Sequence, residues 1–197
     1  MKAASCSRDI YWAPWSVPGL EHLHLRLGER GATADGMILR LHEGTAIRAR
    51  YRVEADATWH TRMVQLAVQY PDPCNLQLEG DGDGHWRRDG ESATEFDGCL
   101  DVDIQVTPFT NTLPIRRLGL GLGDRAPIRV VYLALLPALA LHRAEQRYTC
   151  LDRLAHGGIY RYESIRGNAV SFAADLPVDS DGVVHDYPGQ FRRVSAP

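Results

Sequence analysis

Residues 100–118 read Leu-Asp-Val-Asp-Ile-Gln-Val-Thr-Pro-Phe-Thr-Asn-Thr-Leu-Pro-Ile-Arg-Arg-Leu, and this stretch decides how the surrounding chain is organised. Apolar and polar residues alternate over 100–107, which predicts a half-buried strand. Pro108 and Pro114 interrupt any regular element that follows. The Thr and Asn residues between them favour a bend, because their side chains bond the nearby backbone. The sequence therefore predicts a strand, a constrained turn and a second strand over 115–122.

Charged residues flank this turn on both sides. Asp101 and Asp103 share one face of the first strand, so their side chains should lie roughly 7 Å apart. Carboxylates at such a distance can act as acid and base in glycoside hydrolysis, but they can also be solvated or bind arginines. Arg116 and Arg117 point to opposite faces of the second strand, and a guanidinium group suits phosphate, carboxylate or sugar hydroxyls. If the two strands pair, these opposite charges can instead clamp the sheet.

Alternation with a period of two residues continues through most of the chain. The clearest examples lie at 22–27, 47–53 and 64–70. Turn clusters rich in Gly and Asp separate the candidate strands, and the similarity of 81–84 to 179–182 leaves open an origin from two similar halves. Segment 135–147 is a candidate short helix. The sequence predicts a mainly β, antiparallel fold with little helix, built as a curved incomplete barrel or as two sheets.

Composition bounds the class of protein and its partners. At 197 residues, the chain is interpreted as one domain spanning residues 1–197. A formal net charge of -3 disfavours a nucleic-acid partner. No run approaches the ~20 apolar residues of a transmembrane segment, and residues 1–10 lack the apolar core of a secretory signal. We therefore expect a cytoplasmic location.

The sequence lacks the motifs that bind common cofactors. The four cysteines are widely spaced without a CxxC pair, so reduced thiols are expected. The Asp-Gly-Asp-Gly run at 81–84 predicts a hairpin turn, since the twelfth position of a calcium loop would be Ser92 and not glutamate. Neither a phosphate-binding loop nor a Gly-x-Ser-x-Gly turn occurs. We therefore expect no cofactor and no metal site.

Segments along nearly the whole chain resemble those of one family. Beside 101–118, they are Gly19-Leu-Glu-His22, 51–62 with Asp56 and Trp59, Gly84-His-Trp86, Phe96-Asp-Gly-Cys99 and Asp186-Tyr-Pro-Gly-Gln-Phe-Arg192. Together they resemble the bacterial family of putative glycolipid-binding proteins. The resemblance implies a β-rich fold with an incomplete barrel-like sheet, similar to carriers of bacterial lipids and lipoproteins. It also implies glycolipid binding.

A glycolipid needs an apolar groove for its chains and a polar rim for its sugar. The candidate rim residues are Trp59, Arg62, Asp97, Asp101, Asp103, Asn111, Arg116 and Arg117. The sequence thus predicts non-catalytic binding of a small amphipathic ligand, namely a glycolipid or a sugar-lipid precursor. Two alternatives stay open. One is a carbohydrate-active or hydrolytic enzyme with Asp101 and Asp103 as acid and base, and the other is an interaction module or homodimer formed through edge strands.

Overall fold

The computed structural model describes residues 6–194, in which strands dominate. The strands are β1 (Cys6–Pro14), β2 (Gly19–Gly28), β3 (Gly31–His42), β4 (Thr45–Ala55), β5 (Thr61–Tyr70), β6 (Cys74–Gly80), β7 (Trp86–Arg88), β8 (Glu91–Ser92), β9 (Asp101–Ile104), β10 (Arg125–Ala134), β11 (Ala140–Leu154), β12 (Gly157–Arg166), β13 (Ala169–Asp179), β14 (Asp186–Tyr187) and β15 (Phe191–Val194). The helix α1 (Thr112–Leu118) and short 3-10 turns at 94–96 and 109–111 complete the regular structure of these residues.

The strands form two sheets. The larger has ten strands in the order β14-β15-β1-β2-β3-β4-β5-β6-β7-β8, and the smaller has five in the order β13-β12-β11-β10-β9. Neighbouring strands are antiparallel except β9 and β10, which are parallel. The larger sheet does not close into a barrel. The expectation of a mainly β, antiparallel fold with little helix is confirmed, and the architecture is the two-sheet alternative.

Helix α1 replaces the second strand that the sequence predicted over 115–122, so that prediction is wrong. Pro114 lies in the first turn of the helix, where a backbone N–H has no intrahelical acceptor and its absence costs little. Gly119 ends the helix with a left-handed φ of 56°. The helix is the crossover that a parallel connection from β9 to β10 requires.

The helix predicted within 135–147 is also wrong. Residues 135–139 form a loop that contains Pro137, and β11 begins at Ala140.

No helix within residues 6–194 has the length and apolar character needed to cross a membrane.

The apolar core has two parts, separated by the alternation of β9 and β10. Val102 and Val131 point to one face and belong to the cluster that covers the inner side of the larger sheet. Val130 and Tyr148 point to the other face and pack with Ile115 of α1 in a second cluster. Because successive side chains of a strand point to opposite faces, β9 contributes apolar side chains to the first cluster and polar side chains to the opposite face.

Residues 106–118, here called the connector, link the two sheets. Its residues 106–115 are all buried, so their polar groups need partners inside the protein. The Thr107 hydroxyl donates to Oε1 of Glu21 at 2.6 Å, and the Tyr51 hydroxyl donates to the same oxygen at 2.6 Å. On the other side, the Tyr148 hydroxyl donates to Oδ1 of Asn111 at 2.7 Å. The connector is therefore bonded to strands of both sheets.

Glu21 is the most unusual group in this network. Its side chain is buried, and its Oε2 atom has no hydrogen-bond partner among residues 6–194. Burial raises the pKa of Glu21 to about 7, although the hydrogen bonds from Thr107 and Tyr51 oppose the rise. The Glu21 carboxyl therefore remains protonated, and so uncharged, to a higher pH than the carboxyl of an exposed glutamate.

We predict that Glu21→Gln removes a pH-dependent loss of stability. In the unfolded chain the carboxyl ionises near its usual pKa of 4.5, whereas in the folded chain it stays protonated up to about 7. The stabilisation that results from this raised pKa is fully present below pH 4.5. It is lost as the pH rises through about 7, and the free energy of unfolding then falls by about 3 kcal/mol. Urea unfolding at pH 4.5 and pH 8 should show this loss in the wild type and little of it in the variant. Equal pH dependence in both would contradict it.

Candidate ligand-binding site

Asp103 marks the point where the connector meets the smaller sheet. Its Oδ1 accepts a hydrogen bond from the Thr110 hydroxyl at 3.1 Å, and its Oδ2 accepts one from Nε2 of Gln146 at 2.6 Å. Asp101 shares this strand face with Asp103, as the sequence predicted, because the two residues pair with Val130 and Tyr132 of β10. Asp103 and the connector thus form one wall of a cavity that opens to the surface.

This space, here called the aromatic cavity, has a volume of about 370 Å³. It is lined by Asp103, Gln105, Thr107, Asn111, Tyr132, His142, Ala144, Gln146, Tyr162, Ser164, Arg166, Phe172, Tyr187, Gln190 and Phe191. Most of the sheet residues among these come from one face of β9 to β13, and the last three come from the segment around β14 and β15. The cavity has a size typical of small-ligand sites.

Aromatic rings form a continuous series along the cavity. The ring centroid of Tyr162 lies 6.2 Å from that of Phe172 and 6.0 Å from that of Tyr187. Tyr187 is in turn 6.5 Å from Phe191. Such rings present flat apolar surfaces that also carry a polar hydroxyl on each tyrosine. The wall can therefore contact both the apolar and the polar parts of an amphipathic molecule.

Several polar groups of the cavity remain available to a ligand. Within residues 6–194, the side chains of Tyr132, His142 and Tyr187 form no hydrogen bond, and the rings of Tyr132 and His142 lie 5.0 Å apart. Burial, assisted by the negative charge of Asp103, raises the pKa of Tyr132 to about 12, so its hydroxyl is protonated and can donate. Burial also raises the pKa of Asp103, although Gln146 and Thr110 oppose this effect.

A second depression is here called the apolar groove, and it shares no lining residue with the aromatic cavity. Its volume is about 460 Å³, and its lining is mainly apolar: His42, Glu43, Thr45, Ile47, Val68, Pro71, Asp72, Pro73, Cys74, Leu135, Leu136, Pro137, Ala138 and Leu139. Gln105 is bonded to residues of the groove. Its side chain lines the aromatic cavity, and its Oε1 accepts hydrogen bonds from the backbone N–H groups of Leu135 and Leu136 at 3.0 Å each.

Two of the eight predicted rim residues, Asp103 and Asn111, line the aromatic cavity. Asp101 instead forms a bidentate salt bridge with Arg117, with an Nη2 to Oδ2 distance of 2.5 Å. Asp101 is fully buried, which raises its pKa, and the Arg117 guanidinium opposes this rise. The clamp between opposite charges is thus present, although the arginine comes from a helix and not from a strand. It also leaves no pair of free carboxylates for acid–base catalysis.

The other predicted residues lie away from the cavity. Arg116 is exposed and stacks over the ring of Trp59 at 5.0 Å, while Arg62 donates to the backbone carbonyl of Asp81. Asp97 is exposed beside the 3-10 turn at 94–96. Trp59 itself has a φ of 68°, an uncommon value for a bulky residue, and the loop in which it lies holds this conformation.

Arg117 also lines a separate groove of about 530 Å³, together with Arg129 of β10 and Arg147 of β11. Its cations are already engaged. Arg117 binds Asp101, Arg147 binds Glu163 at 2.6 Å, and Arg129 lies 4.0 Å from Glu145. This groove therefore offers a ligand fewer unpaired polar groups than the aromatic cavity.

Sequence reasoning missed most of the cavity wall. Tyr132, Gln146, Tyr162 and Phe172 occupy alternate positions of predicted strands, so their burial could be anticipated, but not their convergence. That convergence depends on the strand registers that pair Gln146 with Ser164 and Ser164 with Phe172, which the alternation does not specify. The signal that could have found them is the aromatic residue carried by each of the later strands.

The chain is a two-sheet β protein whose cavity combines aromatic rings with hydrogen-bonding side chains. The model of the family described as "Putative glycolipid-binding" matches residues 9–193, and the chain belongs to this family. A crystal structure of a DUF1089 family protein from Pseudomonas aeruginosa is similar, with 40% sequence identity and a TM-score of 0.77, covering 98% of this chain and 95% of that chain. The comparison with curated proteins gave no match.

We predict that Arg117→Ala lowers the free energy of unfolding by roughly 3–5 kcal/mol, because it leaves the Asp101 carboxylate buried without its partner. The neighbouring substitution Arg116→Ala is the matched control. It removes an exposed cation–π contact worth about 0.5–1 kcal/mol. Chemical denaturation of the two variants measures the difference, and equal losses would contradict a structural role for the Asp101–Arg117 pair.

Proposed function

We propose that this protein binds a glycolipid or a related sugar-lipid precursor, with the sugar in the aromatic cavity. The observation that carries the proposal is the combination of aromatic rings with unpaired hydrogen-bonding groups in one cavity. Sugars present apolar C–H faces and a ring of hydroxyls, and these match rings such as Phe172 and polar groups such as Tyr132 and Asp103.

The polar groups of the cavity can discriminate among hydroxyl patterns. The carboxylate of Asp103 accepts one hydrogen bond at each oxygen from the protein, and each oxygen retains capacity for another. The protonated hydroxyl of Tyr132 can donate, and the His142 ring can donate or accept. A ligand without hydroxyls would leave the half-buried Tyr132 hydroxyl without a partner and would cover the Asp103 carboxylate without bonding to it, which disfavours its binding.

The apolar groove supports the placement of the lipid chain. Leu135 and Leu136 line it, and their backbone N–H groups bond to Gln105, which faces the aromatic cavity. A molecule whose sugar lies in the cavity can therefore extend its chain past Gln105 into apolar surroundings. Burial of the chain supplies most of the affinity, at roughly 0.8 kcal/mol for each methylene group.

An alkyl glycoside below its micelle concentration tests this proposal. We expect octyl glucoside to bind in isothermal titration calorimetry, and octanol, which lacks the sugar, to bind more weakly. Phe172→Ala and His142→Ala alter exposed lining residues, so they should fold normally and lower the affinity roughly fivefold. Leu122→Ala is the control, since Leu122 is an exposed apolar residue outside both the cavity and the apolar groove.

Native mass spectrometry of protein purified from its own host provides an independent test. We expect a bound species whose mass fits a lipid that carries a sugar. A ligand-free spectrum together with no binding of alkyl glycosides would contradict the proposal. Equal affinity for octanol and octyl glucoside would contradict the assignment of the cavity to a sugar.

A further inference from the structure

One end of the molecule, here called the loop end, gathers the loops that border both cavities. The pairing of Gly19 with Arg40, of His42 with Thr45, of Val68 with Cys74 and of Ala134 with Ala140 places the neighbouring loops at the same end. These loops are 15–18, 43–44, 71–73, 135–139, 167–168 and 188–190. Residues of these loops line the apolar groove, and Gln190 lines the aromatic cavity.

Exposed large apolar side chains concentrate at the loop end. Among residues 6–194 they include Trp15, Leu20, Leu39, Leu41, Tyr70, Val170 and Phe172, all at or near these loops. Fewer lie elsewhere, such as Leu122, Leu151 and Leu154 at the opposite end. Apolar groups gathered on one part of a surface mark an interaction site, whereas scattered ones do not.

The outward face of β3 shows this change within a single strand. Its outward positions read Thr33, Asp35, Met37, Leu39 and Leu41 towards the loop end. The outward face is thus polar at first and becomes apolar where the strand approaches the loops. Leu39 is 56% exposed and pairs directly with the exposed Leu20 of β2. A solvated sheet face would keep polar residues at these positions.

The charges of the loop end have the opposite sign to the chain as a whole. Within four residues of the loops, the arginines that form no salt bridge among residues 6–194 are Arg40, Arg48, Arg143, Arg166 and Arg192. The corresponding acidic residues at the surface are Glu43, Asp72 and Asp186. An excess of unpaired cations thus accompanies the apolar side chains, although the whole chain carries a net charge of -3.

Trp15 and Arg192 illustrate how the two kinds of side chain are combined. The Arg192 guanidinium lies 5.2 Å from the centre of the Trp15 ring, and Trp15 is 48% exposed. Tryptophan and arginine both have an apolar body with a polar end, which suits the boundary between lipid chains and headgroups. Arg40 is arranged similarly over Phe191, a residue of the aromatic cavity, at 5.5 Å.

We propose that the loop end docks on the surface of a membrane that contains anionic lipid, and that the ligand moves between this surface and the two cavities. The apolar side chains enter the interfacial layer, and the unpaired arginines contact anionic headgroups. This proposal rests on the proposed function, because it names the source from which the lipid ligand comes. It accounts for the position of both cavities beside the same loops.

Co-sedimentation with vesicles tests the docking. Vesicles of phosphatidylglycerol and phosphatidylcholine should bind the wild type, with weaker binding at high salt and on phosphatidylcholine alone. The double variant Leu39→Asp/Leu41→Asp should bind at least tenfold more weakly. The matched control Leu151→Asp/Leu154→Asp makes the same change at exposed leucines of the opposite end and should bind within about twofold of the wild type.

Four results would overturn the docking proposal. They are no binding by the wild type, equal loss in both double variants, equal binding to neutral and anionic vesicles, and light scattering that shows a dimer which only Leu39→Asp/Leu41→Asp dissociates. The last result would assign this face to a second copy of the chain.

Calorimetry with octyl glucoside and no vesicles separates this proposal from the proposed function. We expect Leu39→Asp/Leu41→Asp to retain wild-type affinity for the glycoside. If the wild type binds the glycoside but not the vesicles, only the docking proposal fails. If it binds the vesicles but no glycoside, the proposed function fails, and the docking surface loses its role in ligand transfer.

Discussion

Burial of a polar peptide segment between two β-sheets is the constraint on which this structure depends. A segment rich in Thr and Asn is stable in the interior only when each polar group has a partner, because an unpaired buried group costs about 1–3 kcal/mol. The connector meets this condition in part: Thr107 bonds to Glu21 and Tyr51 of the larger sheet and Asn111 to Tyr148 of the smaller one, whereas the buried Thr112 hydroxyl has no partner among residues 6–194. These bonds fix the position of one sheet relative to the other. The space left beside the connector is the aromatic cavity.

The same arrangement divides the polar residues of the region into two groups. Arg117 and Asp101 satisfy each other on one side of α1, and their pairing holds the helix against β9. Asp103 and Asn111 bond to the protein as well, but they also face the cavity. Residues with a structural role therefore also line the proposed site. The residues that hold the sheets together form the polar wall against which a ligand would lie.

Much of the fold could be predicted from local pattern, because period-two alternation depends only on the geometry of a strand. The structure of the connector could not be predicted in this way, because its prolines and polar residues are compatible with a turn. Helix α1 forms there because Pro114 lies in the first turn of the helix and Gly119 ends it.

The similarity of 81–84 to 179–182 has a local cause. Oδ1 of Asp81 and of Asp179 accepts two following backbone N–H groups in the same way, and Asp56 repeats this turn. Of the predicted rim residues, only Asp103 and Asn111, which lie close to β9 in the sequence, line the cavity. The opposite wall comes from later strands, and its position depends on how those strands pair.

The connector is an internal support, and the proposed ligand site is the cavity beside it. A crystal structure of the protein with a bound alkyl glycoside tests this claim most directly. We expect the sugar ring to pack against Phe172 and Tyr162 and its hydroxyls to bond to Asp103 or Tyr132. We expect the alkyl chain to extend past Gln105. A sugar bound instead in the groove at Arg117, or between Trp59 and Arg116, with an empty aromatic cavity, would contradict it.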